Sequence, residues 1–114
     1  MSTYNVAIIG PKDIISGFKA LGVTPFDAKN GEIALEILKK IKNDIEEGAE
    51  QDKYATVMII ESLVEQIPVE EMDKITKGAL PAIVALPGLE GSHGAGIAKL
   101  KRLAERAIGS DILS

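Results

Sequence analysis

The stretch Ala55-Thr56-Val57-Met58-Ile59-Ile60, closed by Glu61-Ser62, decides the fold. Its residues run on without the polar alternation of a half-exposed strand. That pattern suits a strand buried on both faces, as in a parallel sheet covered by helices. Tyr4 to Ile9, ending at Gly10-Pro11, and Ala82 to Leu86, between Pro81 and Pro87, have the same character. A fourth run, Val23 to Ala28, is weaker and carries Pro25, which places it at a sheet edge.

Helical periodicity fills the intervals. Lys12 to Leu21 puts Ile14, Ile15, Phe18 and Leu21 on one stripe, with Pro11 suited to the helix start and Gly22 to a left-handed end. Gly31 to Glu47 places Ile33, Ala34, Ile37, Leu38, Ile41 and Ile45 on one face, and Gly48 follows. Leu35 falls on the opposite side and is expected to be exposed. A third helix is short and broken by Pro68, and a fourth runs from about Gly96 to Ile108. Strands and helices therefore alternate strictly, which implies a small, doubly wound α/β domain with right-handed crossovers. The expected parallel sheet has order 2-1-3-4 and is Rossmann-like or receiver-like, with an added C-terminal helix. Its topological switch lies between strands 1 and 3, rimmed by Gly10, Pro11, Lys12, Glu61 and Ser62. The chain reads as a single domain over 1–114, with an α/β core over 1–94 and a C-terminal helix and tail over 95–114. Gly48 to Asp52 reads as a helix-to-strand loop.

Composition narrows the function. The 114 residues suffice for a core without staples. The absence of Cys excludes disulfides, Cys-zinc sites, iron-sulfur clusters and thiol nucleophiles. Two Tyr, two Phe and no Trp leave little to stack on bases, and a net charge of -4 argues against a phosphate-neutralising face. No nucleic acid is expected as a partner. The longest apolar runs are about five residues, where a membrane span needs about 20. No signal peptide is visible at the N-terminus, so a cytoplasmic location without direct membrane insertion is expected.

The chemistries that this fold invites each require residues that can be sought. A receiver needs an acidic pair after strand 1 to hold Mg²⁺, an Asp ending strand 3 and a late Lys. Here strand 1 leads into Gly10-Pro11-Lys12-Asp13, strand 3 into Glu61 and strand 4 into Pro87. A nucleotide site would show a glycine-rich loop, but Gly10-Pro11-Lys12 has one glycine and a proline that lacks an amide hydrogen. The cluster Gly88, Gly91, Gly94 and Gly96 fits no phosphate fingerprint, and Glu90 adds the wrong charge there. His93, the only histidine, reads as an exposed loop residue, since one histidine with no Cys does not make a zinc site. Neither cofactor nor metal is expected, and no catalytic residue is assigned.

The last helix is more informative. Gly96, Ile97, Leu100, Leu103, Ala104, Ala107 and Ile108 cover an arc of about 140° at about 100° per residue. Lys99, Lys101, Arg102, Glu105 and Arg106 cover the rest, so an acidic protein ends in a locally basic helix. Ile112 and Leu113 follow and suggest a tail docked on this domain or on a partner helix.

Three segments, Val6-Ala7-Ile8-Ile9-Gly10 with Gly17 to Val23, then Tyr54 to Ile67, then Pro81 to Pro87 with Gly91 and Arg106 to Leu113, together resemble the F subunits of rotary V-type and archaeal-type ATPases. The closing Ala107-Ile108-Gly109-Ser110-Asp111-Ile112 is the most distinctive piece. Pro11-Lys12 stand where that family often has an acidic residue directly after the glycine. The resemblance implies a non-catalytic component of the central rotor stalk that binds the coiled-coil D subunit of the stalk. It implies proximity to the A/B catalytic hexamer and to the socket subunit at the membrane sector. It also implies coupling of ATP turnover to proton or sodium transport, with the protein peripheral to the membrane through the complex. It carries partner binding onto Ile97, Leu100, Leu103, Ala104, Ala107, Ile108, Ile112 and Leu113, with Lys101 and the rest of the basic face steering toward acidic helices. The alternative is a small-ligand-binding or degenerate receiver-like signalling domain that uses the crevice between strands 1 and 3.

Overall fold

The computed structural model describes residues 5–48 and 53–87, together with Arg102, Glu105 and Arg106. Four strands form one parallel sheet in the order β2-β1-β3-β4. These are β1 (Asn5–Gly10), β2 (Thr24–Asp27), β3 (Tyr54–Ile60) and β4 (Ala82–Leu86). The helices between them are α1 (Lys12–Ile15), α2 (Gly31–Glu46), α3 (Glu61–Val64) and α4 (Val69–Thr76). The fold class and strand order are those expected from the apolar runs.

Period-two alternation divides the core into two layers. Ala7 and Ile9 of β1 and Val57 and Ile59 of β3 point to one face, where Ala34, Leu38 and Ile41 of α2, Leu63 of α3 and Ile75 of α4 cover them. Ile8, Met58 and Ile60 point to the other, against Ile15, Phe18 and Val23. β1 and β3 are central strands with near-complete burial beyond their first residues, which accounts for their continuous apolar runs.

β4 departs from that expectation. Ala82 and Ala85 are exposed, and Ile83 and Val84 are half-buried. It is an edge strand, so among the described residues one flank has no neighbouring strand. β2 is the other edge. Ala28 donates its N–H to Gly10 O at 2.9 Å, so by alternation Pro25 turns its missing N–H outward, where no ladder bond is lost.

The segment after β1 is not one α-helix. α1 gives way to a 3-10 helix over Ser16–Leu21, which Gly22 ends at φ 84°. Ile15, Phe18 and Leu21 are spaced by three, so a three-residue turn stacks them on one line, and Gly17 weakens any preference for the α form. Phe18 is fully buried by this arrangement.

α2 begins at Asn30, whose Oδ1 accepts from Ile33 N at 2.9 Å. A second tie comes from Gln66, whose Oε1 accepts from Gly31 N at 2.7 Å. Leu35 is not exposed on the far side of α2; it is half-buried in the same cluster as Val64 and Met72. Leu35, Lys39 and Lys42 share one flank of α2 by their i, i+4, i+7 spacing. Lys39 reaches Glu71 at 3.4 Å, and Lys42 Nζ donates to Lys77 O and to Leu80 O at 2.7 Å. The periodicity shows which residues face the sheet, whereas the burial of Leu35 comes from the neighbouring α3–α4 segment.

Candidate functional site

The rim of the topological switch is packed shut at its base. Gly10 is buried, and a Cβ on it would stand 2.7 Å from Ile60 Cγ1 and 2.8 Å from Ile15 Cγ2. The two isoleucines thus plug the space, on the Ile8 and Ile60 face of the sheet, where a side chain on Gly10 would stand. Pro11 O accepts from Ile14 N at 2.9 Å and from Ile15 N at 3.0 Å, and Lys12 N donates to Asp27 Oδ1 at 3.2 Å. The α1 amides at Lys12, Ile14 and Ile15 therefore already have acceptors. Lys12, Glu61 and Ser62 are exposed around this plug. Among the described residues, no group of three or more His, Cys, Asp or Glu stands together as metal ligands. No helix among them is long and apolar enough to cross a membrane.

The residues assigned to partner binding, Ile97, Leu100, Lys101, Leu103, Ala104, Ala107, Ile108, Ile112 and Leu113, lie outside the described residues. So do His93 and the glycine cluster from Gly88 to Gly96. Arg102, Glu105 and Arg106, from the polar side of that segment, are helical and exposed.

Two concavities flank β2. One, of about 360 Å³, is lined by Lys12, Ile15, Ser16, Lys19, Pro25 and Asp27. The other, of about 410 Å³, lies between α2 and the sheet and is lined by Phe26, Glu36, Ile37, Lys40, Ile41, Asp44 and Tyr54. Sequence periodicity does not reveal the second. Its aromatic floor needs Phe26 and Tyr54 on the same face, and their rings meet edge to face with centroids 5.3 Å apart. Tyr54 would alternate with Val57 and Ile59 onto the opposite face. A register shift between the pairs Asn5–Tyr54 and Val6–Thr56 inserts one residue and turns the ring toward α2.

On the other flank of α2, the Lys39 ammonium hydrogen-bonds Glu71 and attracts its charge. Lys74, 3.6 Å away, adds to the pull and holds the carboxyl below its ordinary value. This exposed cluster ties α2 to α4.

The family profile of the ATP synthase (F/14-kDa) subunit matches residues 6–103. The F subunit of the V-type ATP synthase of Fusobacterium nucleatum is 29% identical over 110 residues, covering 96% of each chain. Its counterpart in Clostridium botulinum is 30% identical over 109 residues, covering 95% of this chain and 96% of the other. The F subunit of the A-type ATP synthase of Thermococcus gammatolerans is 30% identical over 107 residues, covering 94% and 96%. The crystal structure of the V-type ATP synthase F subunit from Archaeoglobus fulgidus superposes with a TM-score of 0.51 at 18% identity, over 74% of this chain and 98% of that one. At that identity the superposition speaks to the fold, which the two share. The profile match and the full-length relatives speak to descent: the chain belongs to the ATP synthase (F/14-kDa) subunit family, together with the F subunits of V-type and A-type ATP synthases.

Proposed function

We propose that this chain is a non-catalytic component of the central rotor stalk, bound to the coiled-coil D subunit of the stalk and turning with it inside the A/B catalytic hexamer. In this role it couples ATP turnover to proton or sodium transport and meets the socket subunit at the membrane sector. It is cytoplasmic and reaches the membrane only through the complex. Family membership over residues 6–103 carries the reading. The apolar plug of Ile15 and Ile60 over Gly10 favours it over a ligand-binding domain that would use the crevice between β1 and β3.

The division of labour is mechanical. In this reading the α/β core serves as a stiff head, supported by a four-stranded sheet over the described residues 5–48 and 53–87 whose central strands are covered on both faces. Residues 95–114 form the arm that grips the coiled coil. Ile97, Leu100, Leu103, Ala104, Ala107 and Ile108 supply its apolar stripe, with Ile112 and Leu113 beyond and Lys101 at the margin.

Size exclusion with light scattering, on the chain alone and mixed with the coiled-coil stalk protein from the same source, tests the assignment. A one-to-one heterodimer is expected. The double substitution Leu103→Asp and Ile108→Asp is expected to abolish it while circular dichroism stays unchanged. Retained affinity in the folded double variant refutes the interface, and two separate peaks at micromolar wild-type protein refute the rotor role.

A further inference from the structure

The chain has three asparagines, Asn5, Asn30 and Asn43, and Asn30 alone is followed by glycine. Asn-Gly is the dipeptide most open to spontaneous loss of the side-chain amide. The backbone nitrogen of the following residue is the nucleophile, and glycine puts no Cβ in its path. Here the pair starts α2: Asn30 is the N-cap and half-buried, and Gly31 is buried.

Both reacting groups are engaged in the folded chain. Gly31 N, the nucleophile, donates to Gln66 Oε1 at 2.7 Å. Asn30 Oδ1, on the carbon to be attacked, accepts from Ile33 N at 2.9 Å. Ring closure requires that carbon to swing onto Gly31 N. The cap bond instead holds the Asn30 side chain over the first turn of α2, with its backbone extended at φ -150° and ψ 171°. Gln66 also closes Gly31 off sterically, since a Cβ on Gly31 would meet the Cβ, carbonyl carbon and carbonyl oxygen of Gln66. Gln66 lies in the connection from α3 to α4, so the guard and the guarded pair come from separate elements.

We propose that Asn30 is a latent deamidation site and that Gln66 is the residue that keeps it closed. When the α3–α4 connection lifts from α2, Gly31 N loses its proton to solvent base and attacks Asn30 Cγ. The bond from Cγ to the side-chain amide nitrogen breaks, ammonia leaves, and a cyclic imide joins Asn30 to Gly31. Water then opens the imide at either carbonyl. One route leaves an ordinary aspartate, which still caps a helix. The other leaves isoaspartate, whose side-chain carbon has entered the main chain, so that α2 loses both bonds at its start. The site is a slow, irreversible record of how often this corner opens. The chemistry needs only the folded chain and water, with no stalk partner.

The test incubates the full chain in mildly alkaline buffer and follows the amide-to-acid mass gain in the tryptic peptide 30–39. Labelling with an isoaspartyl methyltransferase separates the two products. Asn30 of the folded wild type is expected to react at least about tenfold more slowly than in denaturing urea. Gln66→Met removes the acceptor at an exposed position. Its rate is expected to rise about fivefold, the factor that one ordinary hydrogen bond gives to an opening equilibrium. Gln66→Glu retains an acceptor at the same reach and is expected to keep the slow rate. Lys42→Met, which loosens a different corner of α2, is expected to leave the rate unchanged. Circular dichroism establishes that each variant is folded. A wild-type rate in folded Gln66→Met overturns the proposal, as does a Gln66→Glu as fast as Gln66→Met. Equal acceleration by Lys42→Met, or equal rates in folded and urea-unfolded wild type, overturns it too.

Discussion

Gly31→Ala separates local propensity from tertiary packing. Gly31 opens α2, and alanine is the better helix former by about 0.5–1 kcal/mol, so helix propensity alone predicts a gain in stability. The surroundings of Gly31 predict a loss. A methyl group there would stand 2.4 Å from Gln66 Cβ, 3.1 Å from its carbonyl carbon and 3.2 Å from its carbonyl oxygen. Carbon atoms rest at about 3.5–4.0 Å, so the α2 terminus and Gln66 must separate by about 1 Å. Overpacking of this kind costs about 1–3 kcal/mol, and the movement also stretches the Gly31 to Gln66 hydrogen bond, worth about 1 kcal/mol. After subtracting the propensity gain, the expected loss is about 1–3 kcal/mol. At about 2.1 cal/mol/K per residue, the unfolding entropy of 114 residues is about 0.24 kcal/mol/K, so Tm should fall by about 4–12 °C. Thermal unfolding by circular dichroism measures this directly. In a Gln66→Gly background the closest contact is gone, and the cost of adding Gly31→Ala should shrink by at least about 1 kcal/mol. An unchanged or raised Tm for the single variant refutes the reasoning, as does an equal loss in both backgrounds.

Two further outcomes follow from the opposite flank of α2. Lys42→Met removes the donor to Lys77 O and Leu80 O and should cost about 1–2 kcal/mol, with hydrogen-exchange protection lost first between Lys77 and Leu80. Undiminished protection there would show that the ammonium does not hold this loop. The Glu71 carboxyl lies below its ordinary value of 4.5 because of Lys39 and then Lys74, so its contribution is complete above about pH 4.5 and disappears as pH falls through the lowered folded value. Urea midpoints of wild type and Glu71→Gln should therefore differ at neutral pH and converge in acid, and a gap that widens toward acid would contradict this sign.

The candidate site and the groove beside α2 show where reading the chain succeeds and where it stops. The rim residues Gly10, Lys12 and Glu61 follow from strand ends and a crossover rule. The plug over Gly10 is not legible in the sequence, because Ile15 and Ile60 approach it from different elements. The groove beside α2 was half-legible. Glu36, Lys40 and Asp44 follow a simple i+4 series, and Ile37 and Ile41 lie beside them. Nothing in a strict two-residue period would place Tyr54 opposite them, since a bulge is specified by the pairing of two strands.

Apolar run length, the positions of Gly and Pro and the 3.6-residue stripes were enough to define four parallel strands, their order and the edge position of β2. These are local rules acting on neighbouring residues, and each one pointed to the same architecture. The burial of Leu35, the exposure of Ala82 and Ala85, the tight turn through Phe18 and the face taken by Tyr54 depend on which element lies alongside. Such contacts join residues far apart in the chain, and their energies depend on distances of a few ångströms that no local pattern encodes.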